Sequence, residues 1–409
     1  MNEPRTLLRK YGAGIVTGAA DDDPTGISTY SVIGATTGLS QMWLLLLSTP
    51  MLVIVQGMCA KIGDVTRKGL GKVIEDRYGF SVALLATMVL IISNMTTISA
   101  DLLGLVAGLN LLMPQIATVW FIPPVTVLLL YLVLFKSYRL IEKFLLLMAL
   151  FLATYIISGI MARPDWPSVI KALVIPHIEW NILWLAAAVG LLGTTITPYL
   201  FYWQTTEEVE EHRTIQQGRK ALKAVIPGMI YSNVVSGFII IAAASVFYDH
   251  GITITSARDA ALALAPLAGN SATVLFAIGM IGSGLLAIPV LAASTSYAVA
   301  ETFGWKEGLD KKVKQAKGFY AVMTVVFFVS AALAASGIDP IKALFFSQVL
   351  AGLLAPILLT LIILLAADSK VMGQYKNNMW TNIGGWVTVG VMFAASAAFL
   401  YQLISGNAM

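Results

Sequence analysis

Residues 18–30 read GAADDDPTGISTY, with Asp21, Asp22 and Asp23 in succession, Pro24 next and Gly26 two places beyond it. Proline removes a donor from a helix ladder and clashes with the preceding turn, and glycine accepts almost any backbone angle. The pair therefore breaks a helix beside a carboxylate, and Thr25 between them can bond the freed backbone groups. A second stretch, GLLGTTITPYLFYW at 190–203, gathers Gly193, Thr194, Thr195, Thr197 and Pro198 where an ordinary apolar helix would run leucine and valine. The donors on offer are the Asp23 carboxylate, the Thr194 and Thr197 hydroxyls and unwound carbonyls. All are hard oxygens, which suit magnesium and calcium, whereas thioether sulfur suits softer metals. None of the 16 methionines lies in either stretch, and the single cysteine, Cys59, is remote from both.

The elements that carry these residues are read from composition. The chain has 409 residues, 58% of them apolar and 12% charged, against about 25% charged in soluble domains. Apolar residues come in blocks of the length that crosses a bilayer, about 20 residues. Eleven such blocks are expected, at 11–36, 41–60, 81–112, 116–135, 140–162, 181–203, 221–249, 272–301, 317–337, 341–367 and 379–403. They use nearly the whole chain and leave no room for a soluble domain. The first block lacks a small-residue cleavage site and is interrupted by acids, so it does not read as a signal peptide. With the N-terminus in the cytoplasm, 22 of the 26 Lys and Arg fall on inner segments, and only Arg163, Lys171, Arg258 and Lys342 fall outside. The positive-inside rule favours that orientation and sets the C-terminus outside. The net charge of +4 is then explained by topology, and no nucleic-acid partner is implied. One cysteine excludes internal disulfides and multi-cysteine metal or iron–sulfur centres.

A carboxylate in a membrane span costs at least about 2.5–3.5 kcal/mol and marks a functional site by default. From Tyr11 to Asp22 is twelve residues, about 18 Å of helix, which sets the first break near mid-membrane. The interrupted spans 1 and 6 are five apart and so enter from opposite sides. Paired interrupted segments in two halves of a chain point to a transporter built as an inverted repeat. Unwound backbone at that depth is tolerated where it lines a cavity or is buried in protein. The expected division is 1–180 for spans 1–5, 181–370 for spans 6–10 and 371–409 for span 11. Single prolines in membrane helices are commonly plain kinks, the reading given to Pro227, Pro289 and Pro356. The break in span 6 taken alone reads equally well as packing, and the pair carries the transport reading. Asn94 and Asn233 read as inter-helix hydrogen-bond partners. His177, His212 and His250 lie outside the spans and make no zinc motif.

Several stretches resemble the Nramp metal transporters: DPTG at 23–26, GTTITPY at 193–199, AKIGDVTRKGLGKVIEDRYG at 60–79, LVAGLNLL at 105–112, AASTSYAV at 292–299 and SQVLAGLLAPI at 347–357. The resemblance covers about 380 residues in order. It implies an all-α integral membrane protein with the LeuT fold, a 5+5 inverted repeat with an additional eleventh transmembrane helix, and spans 1 and 6 unwound at mid-membrane. It also implies a divalent metal ion as transported substrate rather than cofactor, in a lipid bilayer, and no enzymatic activity. The family's first motif is Asp-Pro-Gly-Asn; here Asp23 keeps the aspartate ligand, and Gly26 stands where the asparagine ligand would be. In span 6 the family's alanine, methionine and histidine positions hold Thr194, Thr197 and Tyr199. These departures resemble the Nramp-related magnesium transporters, which implies partly hydrated Mg²⁺, with Mn²⁺ also passing. Asp23, Gly26, Thr194 and Thr197 are the expected metal site. Asp22, Thr25, Tyr199 and Gln348 are placed along the pathway or behind the ligands, and Asp21 either attracts cations or caps backbone.

Proton coupling needs a chain of titratable groups across the membrane. No histidine lies in a span, and the family's two span 3 acids align with Ile98 and Asp101, so Asp101 reads as a relic of a proton path. Uncoupled alternating access is the expectation, and a proton-coupled Mn²⁺/Fe²⁺ symporter is the alternative. An amino-acid symporter would have to bring an anionic substrate group past three aspartates. An intramembrane aspartyl protease would pair Asp23 with Asp101. Neither lies in a Gly-x-Gly-Asp motif, and Asp101 is expected near one end of its span, away from the break.

Overall fold

In lipid, every backbone polar group must be satisfied within the protein, and the apolar blocks do this as helices. The computed structural model describes residues 23–135, 151–210 and 215–405. Among these residues there is no strand, and every one of the eleven apolar blocks carries helix where it is described. The main helices are α1 (Pro24–Thr37), α2 (Met42–Thr66), α3 (Leu70–Tyr78), α4 (Phe80–Leu112), α5 (Ile122–Phe135), α6 (Phe151–Met161), α7 (Trp166–Val174), α8 (Ile182–Thr195), α9 (Pro198–Glu210), α10 (Ile215–Val246), α11 (Ala272–Phe303), α12 (Lys317–Ala334), α13 (Pro340–Ala367) and α14 (Met379–Ile404). Eight stretches among the described residues are long and apolar enough to cross a membrane, with α8 and α9 counting as one. Asp21, Asp22 and the expected first half of span 1 lie outside the described residues, as does the first part of span 5.

The bundle is built around α4 and α11, which pack along much of their length, with α13 against α4 and α8, and α10 against α1 and α2. Helices run through Pro227, Pro289 and Pro356, as read from sequence, and through Pro50 of α2. Asn94 donates to Thr295 Oγ1 across the α4–α11 contact at 2.9 Å, and Asn233 donates to Thr49 Oγ1 at 2.8 Å. Both asparagines therefore join helices, as expected. Close approach is made possible by glycine at the α8–α13 crossing. A Cβ on Gly193 would lie 2.1 Å from the Gln348 carbonyl oxygen, and one on Gly352 would lie 2.2 Å from the Val189 carbonyl oxygen. These two helices touch backbone to backbone, which fixes Gln348 against the end of α8.

Candidate metal site

The sequence starts α1 at Pro24 for a physical reason. Proline is preorganised for the first helical position, and aspartate is a preferred cap before it. Asp23 takes the cap position with extended backbone (φ −74°, ψ 173°), and its Oδ1 accepts from Gly26 N at 2.6 Å. Thr25 Oγ1 also donates to Asp23 Oδ1 in a short hydrogen bond. The carboxylate is 3% exposed. Pro24 is seated on α4 at Gly104, where a Cβ would lie 2.8 Å from the Pro24 Cβ.

Thr25 organises the rest. Its hydroxyl, donating to Asp23, accepts from Gln348 Nε2 at 2.7 Å, and its backbone N–H donates to Asp101 Oδ1 at 3.1 Å. Gln348 and Asp101 are both fully buried. Asp101 is thus drawn against the break, and its expected place near one end of span 3, away from the break, is corrected. The reason is length. At 33 residues, α4 is about 50 Å long and overhangs a hydrocarbon core of about 30 Å. A position eleven residues from its C-terminal end is therefore deep in the bundle.

The second break is equally local in origin. Ile196 leaves the helical region (φ −119°, ψ 65°) after its N–H has bonded Leu192 O, and α9 restarts on Pro198. The last carbonyls of a helix lack intrahelical partners and carry the negative end of its dipole, which favours a cation. Thr194 sits in that last turn and Thr197 in the gap, both buried. Tyr30 of α1 and Thr195 of α8 share a hydrogen bond of 3.2 Å between their hydroxyls. Tyr199 is buried at the start of α9, and its carbonyl accepts from Ser294 Oγ at 3.1 Å.

Asp23, Thr25, Gly26, Gln348 and Asp101 are therefore joined in one hydrogen-bonded network. Thr194 and Thr197 share no hydrogen bond with it and approach it through the Gly193–Gln348 backbone contact. Around both breaks lie buried oxygens without a hydrogen-bond partner among the described residues: Thr197 Oγ1, Gln348 Oε1, Asp101 Oδ2, Ser28 Oγ and Thr29 Oγ1. Buried polar atoms are normally paired, and each exception calls for an explanation. Each is a hard oxygen with a lone pair to offer a cation or a water. Ser28 and Thr29 were not singled out from sequence; their signal was the run of small hydroxyl residues one turn after the break. No group of three or more His, Cys, Asp and Glu side chains is arranged to hold a metal among the described residues. An ion here meets mainly neutral oxygens. The thioether nearest Pro24 in the Gly104 contact, Met280, turns its methyl group toward that glycine.

Comparison with known proteins bears on the family and the fold. Residues 14–402 match the family described as natural resistance-associated macrophage protein-like, or Nramp. The divalent metal cation transporter MntH of Klebsiella pneumoniae (strain 342) is 25% identical over 417 aligned positions, covering 99% of this chain and 96% of the relative. A crystal structure of a point mutant of the Eremococcus coleocola manganese transporter superposes with a TM-score of 0.78 at 20% identity, covering 100% of this chain and 90% of that one. Mhp1, a nucleobase-cation-symport-1 family transporter, shares the fold with a TM-score of 0.64 at 11% identity, covering 98% of this chain and 94% of that one. The architecture is that of LeuT-fold transporters. The protease reading falls with these findings, although Asp23 and Asp101 both bond Thr25. With the family model matched over residues 14–402, the chain belongs to the Nramp family of divalent metal transporters.

Proposed function

We propose that the protein takes up Mg²⁺, carried with part of its water shell, and also passes Mn²⁺, by alternating access and without proton coupling. The observation that carries this reading is the set of unpartnered buried oxygens on and around the residues that follow Asp23 and Thr195. Hydroxyl, amide and carboxylate oxygens favour magnesium over softer ions. Magnesium dehydrates reluctantly and usually keeps several waters, and the pocket's oxygens can accept hydrogen bonds from such waters as well as bind the ion. Asp23 supplies the charge; Gly26, Thr194, Thr197 and Gln348 shape the pocket. The chain is read as two inverted halves, 1–180 and 181–370, with 371–409 added. The site then lies where they meet.

Selectivity is tested by restoring the family's bulk and softness. Thr197→Met combined with Gly26→Asn is expected to raise the Mn²⁺ to Mg²⁺ uptake ratio in proteoliposomes by about tenfold, the scale of 1.4 kcal/mol. Cd²⁺ should gain as well. An unchanged ratio in a well-inserted variant would remove the volume-and-softness account.

The distribution of lysines and arginines supports an N-terminus in the cytoplasm, and the end of the bundle that bears α3 is then the inner end; the plasma membrane is the proposed location. A reporter fused after Met409 should read as extracellular, and a cytoplasmic signal would overturn the topology.

A further inference from the structure

Beyond Tyr199, α9 carries a second set of buried polar contacts that the metal site does not use. Glu301, on α11, is 3% exposed, and both its oxygens are engaged. Oε2 accepts from Gly71 N of α3 at 2.8 Å, and Oε1 accepts from Thr206 Oγ1 of α9 at 3.0 Å. The N-terminus of α3 has no side-chain cap of its own. Glu301 therefore caps it from another helix, at the end where the helix dipole favours an anion. Gly69 makes the room: a Cβ there would lie 1.8 Å from Glu301 Oε1.

The same seam continues on both sides. Ser294 Oγ donates to the Tyr199 carbonyl, and Tyr297 OH donates to Glu210 at the end of α9. Residues 294, 297 and 301 fall at i, i+3 and i+7, one face of α11. On its α2 side, α9 is clasped by Cys59 and Gly63. Thr205 Oγ1 donates to the Cys59 carbonyl at 3.2 Å, and a Cβ on Gly63 would lie 2.4 Å from the Thr205 carbonyl oxygen. The other partners of Glu301 are anchored. α11 is tied to α4 by the Thr87–Thr302 hydroxyl pair at 2.7 Å, and the far end of α3 is tied by Arg77 to Asp368. The N–H of Lys370 and the Arg77 guanidinium hold that aspartate below the usual carboxylate range.

We propose that Glu301 is a positioning residue for transport: it locks α9 to α3 and α11 and so holds the inner end of the bundle closed. The inference rests on the alternating-access reading. α9 begins one residue after Thr197, and an ion leaving that site toward the α3 end must part α9 from α2 or from α11. Hydrogen bonds suit such a contact, because water replaces each of them when it opens and the net cost of one exchange is small. A carboxylate shared by α3 and α9 ties the helix that must move to one that is anchored.

The protein carries its own reporter. Cys59 is the only cysteine and is fully buried at the clasp. Its rate of alkylation by N-ethylmaleimide, measured on protein in liposomes without any transported metal, follows the fraction of molecules open at the inner end. Glu301→Ala is expected to speed labelling about tenfold. Glu301→Gln, which can keep a contact to both Gly71 N and Thr206, should stay within about threefold of the unmodified protein. Thr206→Val removes one rung and leaves the α3 cap, so it tests the lock even if Glu301→Ala fails to fold; it should speed labelling about threefold. Labelling unchanged in Thr206→Val, or accelerated as much by glutamine as by alanine at 301, overturns the lock. Because this readout needs no transported ion, it can fail while the magnesium reading stands, and the reverse.

Discussion

Asp23→Asn is expected to abolish Mg²⁺ uptake in proteoliposomes while leaving the protein folded. Asp23 has two jobs that this variant separates. As the cap of α1 it accepts from Gly26 N at 2.6 Å, and asparagine caps a helix about as well as aspartate. As the charged ligand it is buried beside oxygens that lack partners. Removing one member of a buried charge pair costs about 3–5 kcal/mol, which lowers uptake by a factor of at least about one hundred. Asp23→Ala should lose the transport and, in addition, about 1 kcal/mol of stability with the cap. Uptake and thermal unfolding measured on the same preparations decide between the roles. If Asp23→Asn transports normally and only Asp23→Ala fails, Asp23 is a structural cap and the metal site is misplaced.

How much of this was legible before the structure differs between residues. The helix starts were legible because Pro24 and Pro198 act locally, through a missing donor and a fixed dihedral, and both mark the first residue of a helix. The Asp23, Thr25 and Gln348 grouping was partly legible, because residue type alone marks a buried carboxylate or amide in apolar sequence as needing a partner. Asp101 was not legible in its true place, since its depth depends on how far α4 overhangs the bilayer, and overhang leaves no mark in an unbroken apolar run. Gly104 was not singled out and Gly193 was read only as part of the second break; the close approach of a proline or another backbone is what gives each its packing role. Glu301 was not singled out at the end of the block 272–301; its role depends on Gly71 and Thr206, which are 230 and 95 residues away in sequence. The first half of span 1 and the acids Asp21 and Asp22 stay with the sequence reading.

Mg²⁺ is expected to enter liposomes without acidifying the lumen, even though the site holds a second acid. Asp101 Oδ1 accepts from Thr25 N at 3.1 Å, and its Oδ2 has no partner among the described residues. Two buried carboxylates bonded to one threonine repel each other, and a divalent cation between them relieves that repulsion. Asp101 can therefore serve ion binding as readily as proton transfer. A proton route needs further titratable groups beyond it. The described histidines, His177 and His250, lie outside the long helices, and Glu208, Glu210 and Glu301 belong to the far ends of α9 and α11. Nor is coupling needed, since a 2+ ion gains about 4.6 kcal/mol per 100 mV of inside-negative potential. The measurement uses liposomes loaded with a pH-sensitive dye in symmetric buffer and given external Mg²⁺. Asp101→Asn keeps an acceptor for Thr25 N but removes a charge, so it should raise the KM for Mg²⁺ about tenfold and leave the dye signal flat. Metal-dependent acidification that Asp101→Asn abolishes would show instead that a proton path survives through Asp101, and the protein would then be a proton-coupled symporter.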